Sequence, residues 1–191
     1  MLSSQIVWLL YQHPKTVFTL SEVAILTGET ATSSLAAKLN YQVQQGRLLN
    51  IRKGLYAKPG YRIEEAAGGL YTPSYLSLEY VLQRSGVVFQ YDARITMVSY
   101  LNRTIEIDSH EIVYRGVKGE ILAALEGIEI RDTMSVATPE RAFLDLIYLD
   151  GNCYFDNLRP LRRRLIWQLL PLYANKAMER RVSHILEGKE E

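Results

Sequence analysis

The chain has 191 residues, 48% of them apolar, which suits one small and one medium domain rather than the roughly 100–150 residues of a typical single one. No apolar run approaches the roughly 20 residues that span a bilayer, Met1 to Ser4 lacks the basic and apolar regions of a secretory leader, and Cys153 alone builds neither a disulfide nor a cysteine zinc site, so a cytoplasmic protein without a membrane partner is expected. The net charge of +1 hides an asymmetry of six bases against two acids over residues 1–60, eight against fourteen over 61–150 and eight against five beyond, so only part of the protein is expected to face a polyanion.

Leu2, Ile6, Leu9 and Leu10 recur at helical spacing, and residues 2–12 read as a helix that His13-Pro14 stops. Thr19, followed by Glu22 and then by Val23, Ile25 and Leu26, is a capping box opening a short second helix that Thr27-Gly28 ends. A third helix is expected over 31–45, burying Leu35, Leu39 and Val43 and stopping at Gly46. At about 100° per residue its opposite face carries Thr30, Ser33, Ser34, Ala37, Asn40, Tyr41 and Gln44, with Lys38 at the edge and no acid. Small hydroxyl and amide side chains near a helix N-terminus approach base edges, and a flanking lysine reaches phosphate.

The runs 47–52 and 55–58 are short and apolar-rich, and Lys53-Gly54 between them is a tight-hairpin signal. Helix, capped helix, acid-free helix and basic hairpin are the order of a winged helix-turn-helix, here over residues 1–58. Ser33, Ser34, Ala37 and Tyr41 are expected at base edges and Lys38, Arg47, Arg52 and Lys53 at phosphates, with Lys58 a further base along the hairpin. The alternative for this segment is a module for protein contact.

Pro59-Gly60, Gly68-Gly69 and Pro73 make 59–72 a connector. Thr72 and Pro73 then open a helix that carries Leu76, Leu78, Tyr80, Val81 and Leu82 and closes at Ser85-Gly86. Residues 95–98, 104–108, 111–114 and 128–130 have the period of strands. Thr138-Pro139-Glu140 starts a helix that buries Ala142, Phe143, Leu146 and Leu149, and two more helical stretches, 158–170 and 172–186, flank Pro171. The fold class is therefore α+β, an N-terminal winged helix-turn-helix followed over 73–191 by a small, mostly antiparallel sheet with helices.

Three segments in order, Lys53-Gly54-Leu55-Tyr56, Pro73-Ser74-Tyr75-Leu76-Ser77-Leu78-Glu79 and Thr138-Pro139-Glu140-Arg141-Ala142-Phe143-Leu144-Asp145, resemble the AbiEi family of antitoxins from abortive-infection (type IV) toxin–antitoxin operons of phage defence. The resemblance spans most of the chain, which is short for the family after Asp150. It implies a regulator whose first domain binds double-stranded promoter DNA and represses its own operon. It further implies that the second domain counters a nucleotidyltransferase-like toxin, without a tight complex being required. Asp145 matches an acidic position of the family and, with Arg162, Arg163 and Arg164, is a candidate for the antitoxin role. The alternative is a stand-alone winged-helix regulator whose second domain senses a ligand or recruits a partner. A palindromic operator would demand two copies, a homodimer on DNA, although no heptad seam guarantees a dimer in solution.

Catalysis, a metal and a cofactor are not expected. No phosphate-loop, dinucleotide or nucleophile-elbow motif is present, and Gly116-Val117-Lys118-Gly119 has the wrong spacing for phosphate. His13, His110 and His184 lack paired ligand spacing. Glu106, Asp108 and Glu111 could hold a cation with Asp92, but alternation with Ile105 and Ile107 assigns them to the wet face of a strand. Arg162 to Arg164 read otherwise as the solvated side of a helix over Leu161, Leu165 and Leu169, and Asp145 as a buried cap or ion-pair partner.

Overall fold

The computed structural model describes residues 2–188; Met1 and residues 189–191, assigned above to the two ends of the domain division, lie outside it. The chain is α+β and divides into two compact units, Met1–Thr72 and Pro73–Glu191.

In the first unit α1 (Ser3–Gln12) begins where the Gln5 side chain accepts the Leu2 N–H at 3.0 Å. After β1 (Val17–Thr19), α2 (Leu20–Thr27) opens on the capping box: Thr19 Oγ1 accepts the Glu22 N–H at 3.2 Å, and Glu22 Oε2 accepts the Thr19 N–H at 2.7 Å. It closes at Gly28, whose φ of 66° lets the Glu29 N–H return to the Ala24 carbonyl. α3 (Ser33–Gln44) starts two residues later than expected, after a turn that follows Gly28. β2 (Leu49–Arg52) and β3 (Leu55–Ala57) form a hairpin about Lys53-Gly54, with Gly54 at a φ of 77°. β3 lies between β1 and β2, both antiparallel to it, and a register shift falls between Asn50 and Arg52. Ile6, Leu10, Phe18, Val23, Leu35, Leu39, Leu48 and Tyr56 share one core beneath the helices.

The expected connector 59–72 holds a helix, α4 (Ile63–Leu70). Glu65 fixes it: its buried Oε2 accepts the N–H of Thr16 at 2.5 Å and of Val17 at 3.0 Å and the Thr16 hydroxyl at 2.8 Å, while Arg62 pairs with Oε1. Gly68 and Gly69, read as punctuation, lie inside this helix; a Cβ on Gly69 would just touch Leu55 of β3 at 3.4 Å, and one on Gly68 would meet nothing.

In the second unit β4 (Ser74–Leu76), β5 (Ile95–Ser99), β6 (Arg103–Ile107), β7 (His110–Gly116), β8 (Ile128–Arg131) and β9 (Met134–Ala137) form one sheet in the order β6-β7-β5-β4-β9-β8. It is mixed: β5 with β7 and β4 with β9 run parallel, the other neighbours antiparallel. The helix expected from Pro73 starts only with α5 (Leu78–Arg84), because Ser74 to Leu76 pair with Ser99 to Met97 and fill the middle of the sheet. Ladder and burial there outweigh the helical spacing of the leucines. The strand-to-helix change puts Leu78, fully buried, at a φ of 58°, a conformation costly for a side chain with a Cβ. Thr96 secures it: its hydroxyl donates to the Ser77 carbonyl at 2.7 Å and accepts the Tyr80 N–H at 3.0 Å.

A short α6 (Gly119–Ala123) precedes β8. α7 (Pro139–Asp150) opens as expected, with the Thr138 hydroxyl accepting the Arg141 N–H at 3.3 Å, and packs against α5, β9, α8 (Arg163–Leu169) and α9 (Lys176–Glu187). Residues 158–162, expected as helix, precede α8, and a 3-10 turn, Leu170–Tyr173, follows it around Pro171.

Replacing Glu65 by alanine strands two main-chain N–H groups and the Arg62 guanidinium. The expected result is a loss of about 2–4 kcal/mol in urea unfolding of the first unit, whereas Glu65→Gln, which keeps an acceptor, loses less.

Candidate nucleic-acid interface

The outer face of α3 is built by its core face. With Leu35 and Leu39 buried one turn apart, Ser33, Ser34, Ala37, Asn40, Tyr41 and Gln44 are all left exposed. The first turn contains no acid and Thr32 provides no side-chain cap, so the amide dipoles there are uncompensated. Tyr56 of β3 donates its hydroxyl to Asn40 Oδ1 at 3.2 Å, linking the hairpin to this face. Gln42, not anticipated as a core residue, is buried; its Oε1 accepts from Arg47 at 3.3 Å.

The expected phosphate-contacting bases divide into two groups. Arg52 and Lys53 are exposed at the hairpin tip, and neither forms an ion pair among the described residues. Arg47 is also exposed, and its carbonyl accepts the Tyr11 hydroxyl at 3.0 Å. Lys38 is already engaged, its ammonium lying 2.9 Å from both carboxylate oxygens of Glu29 in the turn before α3. Lys58 does not line the hairpin surface: its ammonium donates to the His13 carbonyl at 2.6 Å near the rings of Tyr11 and Phe18, and burial lowers its pKa. It clamps the end of α1 onto β3.

Asp145 in the second unit is fully buried. Its Oδ1 accepts the Tyr173 hydroxyl at 2.6 Å and the Tyr75 hydroxyl at 3.3 Å, and its Oδ2 accepts Ser77 Oγ at 2.7 Å. Arg141, one turn earlier on α7 and equally buried, places Nε 3.4 Å from Oδ1 and donates to the Ile121 and Glu126 carbonyls and the Tyr75 oxygen. Burial pushes the Asp145 carboxyl above its ordinary range, against the pull of Arg141 and the three hydroxyls. Burial and the Asp145 charge push the Tyr75 and Tyr173 phenols up, so both remain donors at neutral pH. Asp145 is legible in the sequence, but its partners Tyr75, Ser77, Arg141 and Tyr173 are not marked as such by any local pattern.

Arg162, Arg163 and Arg164 are all exposed, but Arg162 is bound by Glu140 of α7, with Nε to Oε1 at 2.9 Å. Of the acids considered above, Glu106 and Glu111 stand opposite each other on β6 and β7, Asp108 lies not on a strand but in the turn between them at a φ of 46°, and Asp92 holds Arg94. No three histidine, cysteine, aspartate or glutamate side chains among the described residues form a group able to hold a metal ion. Burial pushes the Cys153 thiol up to about 11. No helix among the described residues is long and apolar enough to cross a membrane. No protein-family profile matches the chain, and no curated protein is significantly similar to it.

Asp145→Ala is expected to destabilise the second unit by about 3–5 kcal/mol in denaturant titration, because it leaves a buried guanidinium without its counter-charge. The elevated thiol pKa has its own readout, since the neutral form is favoured by folding and only the thiolate reacts. At pH 8 iodoacetamide should alkylate folded Cys153 about a hundredfold more slowly than free cysteine, and the rate should climb as pH approaches 11.

Proposed function

We propose that the first unit is a winged helix-turn-helix that binds double-stranded promoter DNA, and that through it the chain represses its own operon. The observation that carries this reading is the β1-β3-β2 sheet, whose β2–β3 hairpin follows α3 directly and carries Arg52 and Lys53 at its tip. Ser33, Ser34, Ala37 and Tyr41 read base edges, while Arg47, Arg52 and Lys53 neutralise phosphates. Lys38 contributes only as far as it is shared with Glu29.

For the second unit the proposal is the antitoxin role implied by the AbiEi resemblance, countering a nucleotidyltransferase-like toxin. Its support is the three sequence segments, with Arg163 and Arg164 exposed and Asp145 holding the frame from inside. The alternative, a stand-alone regulator whose second unit takes a ligand, is favoured by an open groove of about 500 Å³ lined by Glu79, Val88, Leu146, Cys153 and Tyr154. Restored growth when the chain is co-expressed with a nucleotidyltransferase-like toxin from its own locus supports the antitoxin role; failure leaves the regulator.

The deciding experiment is titration of the protein with its own upstream DNA against a scrambled duplex of equal length at fixed salt. A preference of about tenfold or more supports the repressor, and equal or absent binding overturns it. Joint replacement of Arg52 and Lys53 by alanine is expected to weaken binding to every sequence and to reduce the salt dependence by about two counterions. Changing Ser33 is expected to alter sequence preference instead.

A further inference from the structure

The six-stranded sheet ends in two open edges, β6 and β8. An open edge offers main-chain N–H and C=O groups that another strand can extend. On β6 the charges oppose this, because Glu106 already faces Glu111 and a second copy would add acids to the same face.

β8 has a different pattern, Ile128-Glu129-Ile130-Arg131. It joins β9 through Asp132 and Thr133, at φ of 47° and 75°, the left-handed pair of a two-residue hairpin turn. In such a hairpin the flanking residues, here Arg131 and Met134, form the hydrogen-bonded pair that closes the turn. Ile130, one residue further along, therefore aims its N–H and C=O away from β9 and out of the sheet. Its side chain is 74% exposed. Glu129 and Arg131 share the opposite face of the strand, paired to each other at 2.6 Å and about half exposed.

We propose that β8 is a self-association edge, on which two copies of this chain pair β8 to β8, antiparallel, about a two-fold axis through Ile130. Each Ile130 then exchanges N–H and C=O bonds with its counterpart in the second copy. Glu129 of one copy stands opposite Arg131 of the other, and Arg131 opposite Glu129, so four alternating charges close into a ring on one face while the two isoleucines meet on the other. The register is specified by charge. A slip of one residue sets a charge against an isoleucine on each face, and a slip of two sets glutamate against glutamate or arginine against arginine. The occupant is a second copy because a glutamate and an arginine placed symmetrically about an isoleucine are their own antiparallel complement, as a closed two-fold contact requires. The pairing depends on the second unit alone and holds whether or not the first unit binds DNA.

Sedimentation velocity of the full chain over a concentration series reaching the millimolar range tests the proposal. The expected result is a monomer–dimer equilibrium, weakened about tenfold or more by Glu129→Arg and restored by the charge swap Glu129→Arg with Arg131→Glu. Circular dichroism checks that the variants, altered only at exposed positions, are folded. A wild-type chain that stays monomeric throughout, a dimer indifferent to Glu129→Arg, or a charge swap that fails to restore association would each overturn it.

Discussion

The carboxylate of Asp145 ties together the parts of the second unit that no local preference would assemble. It receives hydroxyls from β4, from the turn that leads into α5 and from the 3-10 turn after α8, while its neighbour on α7 is a buried arginine. Taking two opposite charges out of water is costly, and the attraction between them rarely returns more than that cost. Three hydroxyls and two main-chain carbonyls surround the pair, and Arg141 Nε faces the carboxylate without a hydrogen bond, so loss of either partner leaves the other charge buried and uncompensated. The strained backbone at Leu78 persists in that setting, held from below by Ser77 and Thr96.

In the first unit electrostatics sorts residues of one type into different tasks. Lys58 and Lys38 have the same ammonium as Lys53, yet one clamps α1 to β3, one answers Glu29 across the turn between α2 and α3, and only Lys53 stands at the hairpin tip without an ion pair among the described residues. The uncapped first turn of α3 adds partial positive charge on the same unit without any side chain.

What was legible in the sequence was local. The capping box at Thr19 and Glu22 and the Thr138-Pro139 start of α7 are set by residues within one turn of each other, and the exposed face of α3 follows from helical periodicity once Leu35 and Leu39 are buried. What was not legible depended on partners far along the chain. The hydrogen bonds from Thr16 and Val17 to Glu65 tie down a helix in an apparent connector, pairing with β5 and β9 makes a strand of an apparent helix start, and Glu29 and the His13 carbonyl engage Lys38 and Lys58. The same distinction separates Arg162 from Arg164: the spacing of the run is alike for both, but Glu140 binds only the first in an ion pair.

The parallel pairing of β4 with β9 has a consequence for how the chain is made. β4 opens the second unit and sits near the middle of its sheet, yet one of its two neighbours, β9, comes last in the chain among that sheet's strands. As the chain leaves the ribosome, β4 and β5 can pair while the opposite edge of β4, where Leu76 meets Val136, stays uncovered until β9 emerges. Contacts so distant in sequence fold slowly because the intervening loop must close before they form. A nascent second unit therefore passes through an interval in which the β9-facing edge of β4 is open to water, and that interval ends only when Met134 to Asp150 have emerged.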